Sequence, residues 1–161
     1  MRLESGTVAR RLAPSLTLAV LAAFAHTGCG GTTGHPLSKT QYERAVAKVQ
    51  QRVFAQVSPA TIMVSARGGD PTEGLRAVQD ASRTEAKDLA DITPPADIAQ
   101  PHRRLVAAIR SYAEELAPVI TAVRQHKLSA RALTAKLRSL PSVQAIRAAR
   151  AEIARKGYRI G

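Results

Sequence analysis

The sequence predicts an all-α protein, an up-down antiparallel four-helix bundle that follows a signal peptide and a flexible tether. Three observations lead there. Apolar residues recur at spacings of three and four over long stretches, as on one face of a helix. Those stretches begin with capping residues and are separated by short turns, which favours antiparallel neighbours. The chain is rich in alanine, has 3% aromatic residues and lacks tryptophan. Its core must therefore be built from Leu, Val, Ile and Ala, whose small faces let helices approach closely.

Residues 1–28 have the order of a secretory signal. Arg2, Arg10 and Arg11 make a positive start opposed only by Glu4, and Leu12 to Ala25 is apolar apart from Ser15 and Thr17. That run of 14 residues is shorter than the ~20 needed for a permanent transmembrane helix. Small residues follow it and lead to Cys29, the single cysteine of the chain. His26-Thr27-Gly28-Cys29 resembles the lipobox of bacterial lipoproteins. Thr27, Gly28 and Cys29 match that pattern, whereas His26 stands where an aliphatic residue is usual. The resemblance implies a diacylglycerol on the Cys29 thiol and cleavage just before it. Ala23-Phe24-Ala25 offers a second cleavage site, after Ala25, which would give a secreted product. A lone cysteine has no partner for a structural disulfide, and a bare exposed thiol is a liability in an oxidising compartment. Arg10-Arg11 also suggests twin-arginine export, but the residues after it fit that motif poorly.

Residues 29–37 read as a tether, with Gly30 to Pro36 carrying no periodicity. Residues 38–161 form the helical domain. About 133 residues remain after the leader, a length that suits one domain. Ser38-Lys39-Thr40-Gln41 is a capping box, and Tyr42, Val46, Val49, Val53 and Val57 form the stripe of the first helix. Pro59 predicts its end or a kink. Residues 60–66 read equally as a continued helix or a short extended piece, and Gly68-Gly69 as a loop. Asp70, Pro71 and Glu73 start the second helix as N-cap, first helical residue and dipole partner. Leu75, Val78, Ser82, Ala86 and Leu89 line one side of it.

Thr93-Pro94-Pro95 makes a stiff turn into the third helix, expected from near Asp97 to about His126. Ile98, His102, Leu105, Ile109, Tyr112, Leu116, Val119 and Val123 give the most regular stripe of the chain, with Pro118 as an expected kink. Ser129 to Lys156 reads as one broken fourth helix, with Leu133, Leu137 and Leu140 before Pro141, and Val143, Ile146, Ala149 and Ile153 after it. Gly157 is its stop. The run DLADITPPADIAQPHRRLVAAIRSYAEELAPV is similar to a segment of uncharacterised small helical actinobacterial lipoproteins. That resemblance implies a surface domain and brings no catalytic residue with it.

No arrangement for nucleophilic catalysis, phosphate loop or zinc spacing is present, so no enzyme is expected and no cofactor is assigned. His102 is the candidate ligand-binding side chain, on the inward stripe one turn beyond the Pro-Pro corner. Its preferred reading is a core-edge histidine bonded to a backbone carbonyl; the alternative is a ligand to a metal, haem or acid in a small-ligand or metal-binding bundle. The Glu-x-x-His pairs of di-iron bundles and the Cys-x-x-Cys-His of c-type haem are absent. His126 is expected to meet helix-end carbonyls, His35 lies in the tether, and Glu114-Glu115 are expected to be solvated. The net charge is +12, and from Arg124 onward ten basic residues face one acid, Glu152. That charge reads equally as a solvated helix face, with basic residues favourable near a helix C-terminus, or as a contact for anionic lipid, an anionic envelope polymer or an acidic protein. Export and the scarcity of stacking aromatics argue against nucleic acid. The expected protein is thus a lipid-anchored, non-enzymatic module on the outer face of the cell membrane. Oligomeric state is not encoded legibly.

Overall fold

The computed structural model describes residues 35–65 and 70–160, without the side chains of 59–65. The leader, Cys29, most of the tether and Gly68-Gly69 lie outside the described residues. Within them the protein is all-α. The order is α1 (Lys39–Ser65), α2 (Pro71–Ala90), a 3₁₀ turn (Ala96–Ile98), α3 (Ala99–Arg124), α4 (Ala130–Arg138) and α5 (Pro141–Arg155). Residues Gly31–Gly161 form one packed unit.

The helix starts follow their capping chemistry. Ser38 N–H donates to Gln41 Oε1 at 2.9 Å, and Gln41 N–H donates to Ser38 Oγ at 3.4 Å, closing the box on α1. Asp70 Oδ1 accepts from Thr72 N–H at 2.8 Å, with Pro71 as the first helical residue of α2. Ser129 caps α4 through Ala132 N–H. Two sequence expectations shift. The α1 backbone stays helical past Pro59 to Ser65, so residues 60–65 of the ambiguous piece are helix. The third helix begins at Ala99, behind the 3₁₀ turn, and carries Pro118 inside it.

Helix packing runs mainly α1 on α2, α2 on α3 and α3 on α5, with a smaller contact of α4 on α3. Leu89 meets His102 while Gln79 meets Ala113, so α2 and α3 run in opposite directions. Arg104 meets Glu152 while Glu115 meets Ser142, and the same holds for α3 and α5. All eight stripe positions of the third helix are buried except Tyr112, which is half-buried. On α1 the burial fades along the stripe: Tyr42, Val46 and Val49 are buried, Val53 and Val57 only half so, and Phe54 is 75% exposed.

The core has two parts. One gathers Tyr42, Leu89, Ile98, Leu105, Ile153 and Tyr158. The other gathers Leu75, Leu116, Val119, Leu133 and Leu140. Each fully buried aliphatic side chain contributes about 1.5–3 kcal/mol, so α3, which supplies both parts, is the spine of the fold. No helix among the described residues is long and apolar enough to cross a membrane.

Candidate functional site

The end of the molecule at the Pro-Pro corner concentrates the polar chemistry. Residues before proline avoid helical backbone angles, so Thr93-Pro94-Pro95 ends α2 and redirects the chain into the 3₁₀ turn. That places His102, in the first turns of α3, against the last turn of α2. His102 is 3% exposed. Its Nε2 lies 3.0 Å from the Leu89 carbonyl and its Nδ1 lies 3.1 Å from the Tyr42 hydroxyl. A carbonyl can only accept, so Nε2 carries the proton and Nδ1 accepts from Tyr42 O–H. Leu89 O also takes Ile92 N–H at 3.1 Å. The histidine thus satisfies part of the α2 C-terminus, which has carbonyls without intrahelical donors.

Electrostatics favour the neutral ring over the charged one. Burial pushes the His102 pKa below its usual value, the bond to Leu89 opposes the shift, and the Arg103 charge adds to it. Burial, with a smaller push from Tyr158, raises the Tyr42 hydroxyl to about 12, so it remains a donor. Tyr42 meets His102 and Tyr158 edge-on, with ring centroids 5.6 and 5.7 Å apart. Tyr158 O–H donates to Asp97 Oδ1 at 2.8 Å, and Lys39 Nζ lies 5.5 Å from the Tyr158 ring centroid. Arg159 N–H donates to Glu43 Oε1 at 2.8 Å, and Leu37 N–H to Thr93 O at 3.1 Å. Three helices, the 3₁₀ turn and the C-terminal residues are tied together here.

His102 therefore has the bond to a corner carbonyl that the sequence favours, and both ring nitrogens face protein partners. No three His, Cys, Asp or Glu side chains group as a metal site among the described residues. Beside the ring is an open cleft of about 540 Å³. Arg103, Val106 and Arg110 of α3 form one wall, and Ile92, Pro94 and Pro36 contribute the other. A second groove, of about 500 Å³, runs between α3 and α5 over alanines. Its charged members, Arg104 and Glu152, pair with each other.

The remaining sequence candidates are scattered. Cys29, the expected lipid attachment, is outside the described residues. His35 and Glu114 are exposed. His126 adopts φ 53° at the end of α3, where its N–H reaches Val123 O at 2.9 Å and Lys127 N–H reaches Ala122 O at 2.9 Å. It meets terminal carbonyls through its backbone, not its ring. Glu115 corrects the expectation of a solvated pair: its Oε2 accepts from Ser142 Oγ at 2.6 Å and Ser142 N–H at 3.3 Å. Leu140 offers α5 no side-chain cap, so a carboxylate from α3 satisfies that N-terminus and complements its dipole.

Sequence reasoning missed three further residues. Buried Gln79 donates to Ala113 O at 2.7 Å. Tyr158 and Ile160, beyond the stop at Gly157, return into the core. Their aromatic and aliphatic character after a helix stop was the available signal. Of the ten cations from Arg124 onward, nine are exposed and, among the described residues, their side chains form no ion pair with a carboxylate. Only Arg150 is half-buried, 3.9 Å from Glu85. No protein-family model, curated protein or solved structure matches the chain.

Proposed function

We propose that this is an exported, lipid-anchored, non-enzymatic module of the bacterial cell envelope, held through Cys29 and presenting a basic surface to an anionic partner. The lipobox-like leader supports the anchor. In this reading the domain is an up-down four-helix bundle whose fourth helix is broken at Leu140-Pro141 into α4 and α5. The observation that carries the function is the exposed cationic run from Arg124 to Arg159. The side chains of these nine cations are exposed and form no ion pair among the described residues, which leaves them open to intermolecular contact. The buried polar side chains of the corner, by contrast, are engaged with one another.

Each Lys or Arg close to an anionic membrane contributes about 1 kcal/mol, and the attraction fades within a Debye length. Two acyl chains give stable anchoring where one gives marginal binding. The surface therefore adds electrostatic contact to a tether that already fixes location. Cys29→Ser separates these contributions. Expected is release from the membrane fraction, with retained salt-sensitive binding of residues 31–161 to anionic vesicles. Retention of the variant as firmly as the wild type sinks the lipid anchor. Equal binding of that fragment to neutral vesicles sinks the basic surface.

A further inference from the structure

We propose that the cleft at the Pro-Pro corner binds one anionic amphiphile, with a carboxylate or phosphate head on Arg103 and Arg110 and an aliphatic body against Ile92, Pro94 and Val106. The volume, about 540 Å³, lies in the range of small-molecule sites. Arg103 and Arg110 are seven residues apart, two turns along one face of α3, or about 10 Å. Val106 lies between them. Both arginines are exposed, and neither has a carboxylate partner among the described residues. This distinguishes them from Arg104, on the neighbouring face, which is paired with Glu152.

The residues lining the cleft include two guanidinium groups and no acid. Asp97, the carboxylate of the adjoining 3₁₀ turn, is engaged by Tyr158. His102, also at the lining, donates its Nε2–H to the Leu89 carbonyl and adds no competing acceptor, since Nδ1 faces Tyr42. The guanidinium fork matches a carboxylate or phosphate head. Pro94 is fixed in the turn, so the apolar wall is already formed. The site differs in place from the cationic run of α4 and α5, and in chemistry from the alanine groove between α3 and α5, whose charged members Arg104 and Glu152 pair with each other.

The experiment is calorimetric titration of the full chain with dodecanoate, dodecyl phosphate, dodecanol and inorganic phosphate, each below its aggregation concentration. Expected is saturable binding of one dodecanoate or dodecyl phosphate, weakened about tenfold or more in R103Q/R110Q. Whichever of the two anionic probes binds more tightly identifies the head. The exposed arginines leave the fold intact, which an unchanged melting temperature checks. R131Q/R138Q should bind the probes as the wild type does, so this result stands apart from binding of vesicles by α4 and α5. Absence of saturable binding overturns the proposal. So does equal affinity for dodecanol, for inorganic phosphate, or in the R103Q/R110Q variant.

Discussion

The two ends of the helical domain are held by different physics. At the corner end, Tyr42 and His102 make directional bonds inside an otherwise apolar cluster, and Tyr158 bonds to Asp97 at its edge. At the opposite end, the buried members Leu75, Leu116, Val119, Leu133 and Leu140 are aliphatic. There the polar contacts of Glu115 with Ser142 border the cluster. Aliphatic packing is non-directional and depends on volume filled. Hydrogen bonds inside a core fix one arrangement and are costly to leave half-made. The corner end is therefore the more specific and the more sensitive to proton concentration, while the aliphatic end is governed by shape.

The largest expected effect breaks the aliphatic end. Leu116 is fully buried, and Leu116→Ala should lower unfolding free energy by about 3 kcal/mol in denaturant titration. That loss should be the same at pH 7.5 and pH 5, because the buried members of its cluster are aliphatic and burial raises the pKa of Tyr112, packed against them, above its ordinary 10.0. Next, Tyr42→Phe removes the donor to His102 Nδ1 and should cost about 1–2 kcal/mol at neutral pH.

The same pair sharpens the comparison through pH. Because the folded state depresses the His102 pKa below its ordinary 6.5, the unfolded chain binds more protons there. Stability from this group is complete above 6.5 and declines as the pH falls from there towards the folded value. Melts of wild type and His102→Phe between about pH 7.5 and 5 should show that decline only in the wild type. Equal slopes would remove the histidine as its source. Tyr42 acts at the other extreme: raised from 10.0 to about 12, it contributes stability below 10 that is lost as the pH climbs towards 12.

The smallest effects concern the two helix stops, one at each end. Gly157, at the corner end, has φ 84°, and an added Cβ would meet Lys39 Nζ at an ordinary 3.6 Å. Gly157→Ala therefore suffers only the left-handed backbone, about 1 kcal/mol. His126 already bears that strain at φ 53°, so His126→Gly should raise stability by up to about 1 kcal/mol. Opposite signs in paired thermal melts are expected; like signs would remove the strain argument.

Much of the fold was legible because periodicity and capping are local. The stripe from Ile98 to Val123 reads directly as buried surface, and Ser38-Gln41 and Asp70-Pro71 mark helix starts. Pro59 misled in part, since a helix tolerates one missing N–H when its neighbours continue. His102 was legible as an inward residue, and its preference for a corner carbonyl followed from its place beside the turn. Tyr42 as its second partner was not, because they lie sixty positions apart. Glu115 was hidden for the same reason, its partner being Ser142 on another helix. Of the cleft arginines, Arg103 stood in the run His102-Arg103-Arg104, but only the packing of α5 separates Arg104, which is paired, from Arg103, which is not.

The hydrogen bond from Leu37 to Thr93 and the contact of Tyr158 with Tyr42 bring the first and last described segments of the domain side by side. Covalent order is then negotiable. A short glycine-serine bridge from residue 160 to residue 37, with new termini opened at residues 127–129, should give a circular permutant that keeps the same helices and the same corner.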